Sequence, residues 1–145
     1  MQYFFNTSAI VKIYHEEGGS EVVLPLYNGN DNSIVISELS KVEFLSTIHK
    51  KFRNKEIDLE TVEALKDRFL FDSSNKFIVI PMVSSTVNTA LDLIISHGKS
   101  NSLFSLDALQ AAALSIISDN TAIFFCADKK LTSFVKNIGY ETLEL

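Results

Sequence analysis

Short continuous apolar runs alternate along the chain with stretches of helical period. Tyr3-Phe4-Phe5, Ser33-Ile34-Val35-Ile36, Phe77-Ile78-Val79-Ile80 and Thr121-Ala122-Ile123-Phe124-Phe125-Cys126 read as strands, with Tyr140-Glu141-Thr142-Leu143 as an edge strand. Pro81 stops the third run. The runs are continuous rather than alternating apolar with polar. Both faces of such strands must be covered, which is the habit of a parallel sheet.

The segments between them read as helices. Thr7 to about Glu17 sets Ile10, Ile13 and Tyr14 on one face, with Gly18-Gly19 as its stop. Ser20 to about Tyr27 is a short helix weakened by Pro25 in its interior. Glu38 to about Arg53 carries Leu39, Val42, Leu45 and Ile48 behind Ser37 as N-cap. Asp58 to about Asp72 carries Val62, Leu65 and Phe69, with Asp58 as the cap. Ser84 to His97 carries Val87, Leu91 and Ile94 and closes at Gly98. Leu106 to Ile117 follows Ser105 as N-cap, and Lys129 to Ile138 lies between Asp128 and Gly139. Strands alternating with helices predict a three-layer α/β domain, its mostly parallel central sheet flanked by helices. Its crossovers are expected to be right-handed.

Composition narrows the class. At 145 residues the chain is one domain, spanning 1–145. Its single cysteine, Cys126, rules out an internal disulfide and points to a reducing cytoplasm. Thirteen basic residues against eighteen acidic ones leave a net charge of −5. That argues against holding nucleic acid by bulk positive charge, but not against a nuclease whose acids hold divalent metal. The N-terminus has neither the basic lead nor the apolar run of a signal peptide. Apolar stretches fall far short of the ~20 residues of a spanning helix, so no membrane contact is expected.

In open α/β sheets the working site lies beyond the carboxyl ends of the strands. Asn6, with Thr7 and Ser8, follows the first strand, and Asp128 follows the fourth. Asp107 stands in the first turn of its helix, and Glu43 lies beside an apolar stripe. Converging carboxylates would suit Mg²⁺ and metal-assisted hydrolysis of a phosphodiester. Blander roles compete: Glu43 as a solvated helix residue, Asp107 as a first-turn acid, Asp128, Thr7 or Ser8 as caps. Cys126 reads as a buried small hydrophobe, and His15, His49 and His97 share no ligand spacing. The basic run from His49 to Lys55 either complements a helix C-terminus or forms a rail for RNA phosphates or a dock for an acidic partner. Lys129 and Lys130 are placed to touch a substrate backbone beside Asp128. No glycine-rich phosphate loop is present, so nucleotide binding by that device is unsupported.

The stretch Phe4-Phe5-Asn6-Thr7-Ser8-Ala9-Ile10-Val11-Lys12-Ile13-Tyr14, followed by Glu16-Glu17-Gly18, resembles the opening of a PIN domain. Ile36-Ser37-Glu38-Leu39-Ser40-Lys41-Val42-Glu43 is similar to the second motif of that family. Leu106-Asp107-Ala108-Leu109-Gln110-Ala111-Ala112-Ala113 and Phe124-Phe125-Cys126-Ala127-Asp128-Lys129-Lys130-Leu131 are similar to the third and fourth. Each motif is weak alone; four in order over residues 2–139 are specific. The resemblance is strongest to the VapC-type toxins of toxin–antitoxin pairs. It implies a metal-dependent endoribonuclease, a homodimer, an RNA substrate and a cognate antitoxin protein as partner. It also implies that Asn6, Glu43, Asp107 and Asp128 are the catalytic, metal-holding positions for Mg²⁺ or Mn²⁺. Two residues depart from the pattern. Gln110 stands where many relatives carry His, and Asn6 stands where the usual form has Asp. A neutral amide removes one charge from the site. A unit pair at ~4 Å and an effective dielectric near 20 amounts to about 4 kcal/mol before desolvation, so metal binding and activity are expected to be weakened. The rival expectation is a PIN-like module that binds RNA or a partner without cutting.

Overall fold

The computed structural model describes residues 1–117 and 121–145. Five parallel strands form one sheet in the order β3-β2-β1-β4-β5. They are β1 (Gln2–Phe5), β2 (Ser33–Ser37), β3 (Ile78–Ile80), β4 (Ile123–Cys126) and β5 (Thr142–Glu144). The helices are α1 (Thr7–Tyr14), α2 (Ser20–Asn28), α3 (Leu39–Arg53), α4 (Leu59–Asn75), α5 (Ser84–His97), α6 (Ser105–Ser115) and α7 (Lys129–Asn137). The α/β architecture with a parallel central sheet is therefore as the sequence predicts, and Thr142–Glu144 forms the edge strand beside β4. No helix among the described residues is long and apolar enough to cross a membrane.

Successive side chains of a strand point to opposite faces, and Phe4 and Phe5 of β1 build two different cores. Phe5 joins Ile10, Ile13 and Tyr14 of α1 with Phe44, Ile48, Val62 and Phe69 of α3 and α4. Phe4 joins Val35 and Phe124 with Ala111 and Leu114 of α6 and Leu131, Phe134 and Val135 of α7. Both phenylalanines are fully buried, as continuous apolar strands require. β1 lies at the middle of the sheet, with β2 on one side and β4 on the other. The chain's direction of winding reverses there, so a crevice opens beyond the ends of β1 and β4.

Four local expectations change. The first helix ends at Tyr14 rather than near Glu17, with His15 already extended. Ser20 Oγ donates to the Lys12 carbonyl and accepts from the Glu17 amide, folding residues 15–19 into a tight connection. Gly19 serves there as the N-cap of α2 at φ 95°, a left-handed conformation that favours glycine. In α3 the buried face is Ser40, Phe44 and Ile48, whereas Val42 is 69% exposed. The helix turns about its axis because Ser40 faces a polar cluster instead of solvent. In α5 the bounds agree, yet Thr86 and Ala90 face inward and Val87, Leu91 and Ile94 face out. Small residues win that contact: Ala90 meets Ala108 and Ala112 of α6 at a separation larger side chains would prevent. Finally, α6 begins at Ser105 with Phe104 as its cap residue. Pro25 stands inside α2 without ending it.

Candidate active site

The crevice at the switch of winding is a cleft of about 380 Å³, and Asn6, Glu43, Asp107 and Asp128 all line it. Four different elements deliver them. β1 ends in Asn6, whose amide N–H donates to the Phe125 carbonyl at 3.0 Å, fixing it against β4. Asn6 is the N-cap of α1; its Oδ1 accepts from the Ser8 amide at 3.0 Å and the Ser8 hydroxyl at 3.1 Å. Ser8 Oγ in turn accepts from the Ala127 amide at 3.0 Å, so the start of α1 is tied to the end of β4.

Glu43 projects from α3 and is held from one side. Its Oε1 accepts from Gln110 Nε2 at 2.6 Å and from Thr7 Oγ1 at 3.0 Å. Gln110 Nε2 also reaches Ser40 Oγ at 3.1 Å. Gln110 is fully buried, and its own Oε1 is without a hydrogen-bond partner among the described residues. Aiming the amide nitrogen at Glu43 thus strands the carbonyl, a cost accepted only because the carboxylate needs the donor. Asp128 is the N-cap of α7, its Oδ1 accepting from the Lys130 and Leu131 amides at 2.8 and 3.2 Å. Its capping role is real, and it uses one oxygen.

Asp107 is different. No hydrogen bond reaches its carboxyl among the described residues. Burial pushes its pKa up, and the nearby charges of Asp128 and Glu43 push it further in the same direction. Cys126 lies at the cleft floor, buried as expected, with Sγ accepting from the Asp128 amide at 3.2 Å; burial raises its pKa as well.

The donors are carboxylate and amide oxygens, the set a hard divalent cation takes. Among the described residues no group of three His, Cys, Asp or Glu side chains meets closely enough to hold an ion. Mg²⁺ usually takes one or two carboxylates and keeps several waters, so the set present fits such an ion without a closed protein cage.

The other face of the cleft lies outside the four sequence motifs' acidic positions. Lys12, Glu17, Thr47 and Lys51 line it. Thr47 and Lys51 follow Glu43 at four-residue intervals, so helical spacing places them on its face. The pairing of Lys12 with Glu17, at 2.9 Å, depends on the connection at 15–19 and has no sequence signal of its own. His15, His49 and His97 stay outside the cleft lining.

A PIN-domain family model matches residues 3–134. Among solved structures the chain is similar to one in the crystal structure of VapBC2 from Rickettsia felis bound to a DNA fragment from their promoter. The TM-score is 0.67 at 19% identity, over 100% of this chain and 99% of that one, so the likeness is one of fold. No curated protein matches the chain.

Proposed function

The chain belongs to the PIN-domain family, and from that premise we propose that it is the metal-dependent endoribonuclease of a VapC-type toxin–antitoxin pair, weakened by Asn6. The observation that carries this reading is that Asn6, Glu43, Asp107 and Asp128, one from each motif, line a single cleft, with no hydrogen bond to the Asp107 carboxyl among the described residues. Like charges lining one cleft raise the pKa of Asp107, and a cation relieves such repulsion.

Mg²⁺ or Mn²⁺ bound there would supply an activated water and neutralise charge developing on the phosphoryl oxygens. The protein's own part is positional. Gln110 and Thr7 engage Oε1 of Glu43, leaving Oε2 for the ion. Asp128 likewise spends Oδ1 on its cap and keeps Oδ2. Asp107 contributes a carboxyl free of hydrogen bonds, and Asn6 a neutral oxygen already shared with Ser8. Lys129 and Lys130 follow Asp128 in α7 and line a neighbouring pocket that shares Asp107 with the cleft, where a substrate backbone would pass.

Exposed apolar residues support the proposed partners. Val87, Leu91, Ile94 and Ile95 form an exposed apolar face on α5, which suits a homodimer. Val42 and Leu106 are exposed and each adjoins a cleft carboxylate. An antitoxin segment packing on them would bring a basic side chain among the acids. A toxin of this kind acts in the cytoplasm.

The test compares the protein with its Asn6→Asp variant on a labelled pool of single-stranded RNA. The variant is expected to cut with Mg²⁺ or Mn²⁺, to stop in chelator, and to be toxic on expression without antitoxin; Asn6→Asp plus Asp128→Ala controls for contaminating nuclease. Equal cutting by both forms would remove position 6 from the site. A second reading is favoured by one observation: the Asn6 oxygen is engaged and uncharged, which suits a module that binds RNA or a partner without cutting. A folded, metal-binding Asn6→Asp variant that leaves RNA intact would establish that reading instead.

A further inference from the structure

The cleft lining carries both signs of charge: Glu43, Asp107 and Asp128, and with them Lys12 and Lys51. α3 sets the spacing: Glu43, Thr47 and Lys51 share a face, and eight residues advance about 12 Å along the axis. Between the lysines lies a single carboxylate. Glu17 Oε1 accepts from Lys12 Nζ at 2.9 Å, and Glu17 Oε2 accepts from Lys51 Nζ at 3.2 Å. Lys12 also donates to the Gly18 carbonyl at 2.6 Å, and Lys51 lies 3.5 Å from Glu56.

One anion bridging two ammonium groups, one oxygen to each, has the chemistry of an anion site with an internal occupant. The lysine side chains are 9% and 16% exposed and Glu17 is 32% exposed, so the carboxylate is the most solvent-accessible member of the trio. Burial pushes the Glu17 carboxyl up, but the hydrogen bonds from Lys12 and Lys51 outweigh it and hold its pKa below the ordinary value. The carboxylate is therefore charged at neutral pH. It lines the same cleft as the three acids, where the RNA strand of the proposed reaction would run.

We propose that Lys12 and Lys51 form a phosphate subsite for the RNA backbone in the cleft, and that Glu17 occupies it in the free protein in place of the phosphate. The assignment rests on the ribonuclease reading and deepens it. A backbone phosphate displaces the Glu17 carboxylate outward to solvent, and both lysines exchange one anionic partner for another. The chain is acidic overall, so this exchange supplies local attraction that net charge does not, and it confines that attraction to the cleft.

The experiment measures binding of a short fluorescein-labelled single-stranded RNA to the full chain in chelator, across a salt series, so that neither metal nor cutting contributes. Lys51→Gln should weaken binding roughly fivefold and flatten the salt slope by about 0.7, the value of one phosphate contact on a single strand. Lys51→Arg should keep both. Glu17→Gln should tighten binding by roughly three- to tenfold, since the internal competitor loses its charge. A mere structural brace predicts unchanged or weaker RNA binding for that variant; its melting temperature falls on either reading, because Glu17 is paired with both lysines. Lys51→Gln leaves the Lys12–Glu17 pair intact, so the test still reads if Glu17→Gln fails to fold. Affinities of both variants within about twofold of the parent, or no RNA binding by any form, overturn the subsite. Cutting by the Asn6→Asp protein is scored separately. RNA that binds with the expected pattern but is never cut leaves the subsite standing and removes the nuclease reading. RNA that is cut while both variants bind like the parent does the reverse.

Discussion

Asp72 is buried and Asp107 half-buried, and their surroundings differ sharply. Asp72 of α4 is 6% exposed, and its Oδ2 accepts from the phenols of Tyr14 at 2.6 Å and Tyr27 at 2.8 Å. Burial raises the pKa of each phenol, and the hydrogen bond to Asp72 adds to it, so both keep their protons and remain donors. The trio ties α1, α2 and α4 together beneath Phe44 and Phe69, whose rings stack at 4.1 Å. Asp107 has no such donors among the described residues, and the charges of Asp128 and Glu43 act on it. A buried charge in a structural role is matched within the protein. A charge left unmatched in a cleft is available to something that comes from outside.

The largest effect expected from breaking this contrast is at Asp72. Asp72→Ala strands two buried phenols and should destabilise the fold by about 3 kcal/mol, lowering the melting temperature by roughly 6–12 °C for a chain of this size. Chemical and thermal unfolding check it. Asp107→Asn should go the other way, raising the metal-free melting temperature by about 2–4 °C, as about 1 kcal/mol of repulsion is relieved. It should also reduce the stabilisation that added Mg²⁺ gives. A drop in metal-free stability comparable to that of Asp72→Ala would show that Asp107 is matched within the protein after all.

How far these differences could be read from the sequence depends on what each residue touches. The sheet was legible because Phe4-Phe5 and Phe124-Phe125 are continuous apolar pairs that only two covered faces can accommodate. Helix bounds were legible where a cap marks them: Asp58 accepts from the Thr61 amide at 2.7 Å, as its position suggests. Helix orientation was not. A stripe through Val42 or Leu91 looks like a core face, but buried polar contact at Ser40 and close alanine packing at Ala90 decide otherwise. The four cleft residues could be found because each stands in a motif at an element's end or on its helix. Tyr14, Tyr27 and Asp72 come from three separate helices, and nothing in their spacing announces that they meet.

A pH series sharpens the comparison further, with opposite signs for two acids. Glu17 has a lowered pKa, so its contribution to stability is present above the unfolded-state value and is lost as pH falls through the folded value. Asp107 has a raised pKa, so the native state holds the extra proton between the unfolded and folded values. Its metal-free contribution is therefore most favourable at low pH and declines as pH rises through that window. Glu17→Gln should flatten the acid-side loss of stability, and Asp107→Asn should remove a decline in the opposite direction. Melting curves at closely spaced acidic pH values separate the two. An Asp107→Asn slope identical to that of the parent would mean that neither burial nor the neighbouring acids perturb Asp107.

The smallest effect on folding belongs to Asp128, where a capping role and the proposed metal-holding role share one side chain. As N-cap of α7 it uses Oδ1 alone. Asparagine caps helices about as well as aspartate, because its amide oxygen accepts the same backbone hydrogen bonds. What Asp128→Asn loses is the charge, worth about 0.5 kcal/mol at most to a helix N-terminus at this exposure. Part of that loss is returned as repulsion on Asp107 falls. The melting temperature without metal should thus move by no more than about 2 °C. In the Asn6→Asp background, however, the same change removes one of the cleft's charges, and both the Mg²⁺-dependent rise in melting temperature and RNA cutting should fall sharply. Asp128→Ala removes cap and charge together and should cost about 1 kcal/mol more in stability than Asp128→Asn, with no further loss of metal response. If Asp128→Asn keeps the full metal response, Asp128 is a cap alone, and the proposed metal site would rest on Asp107, Glu43 and position 6.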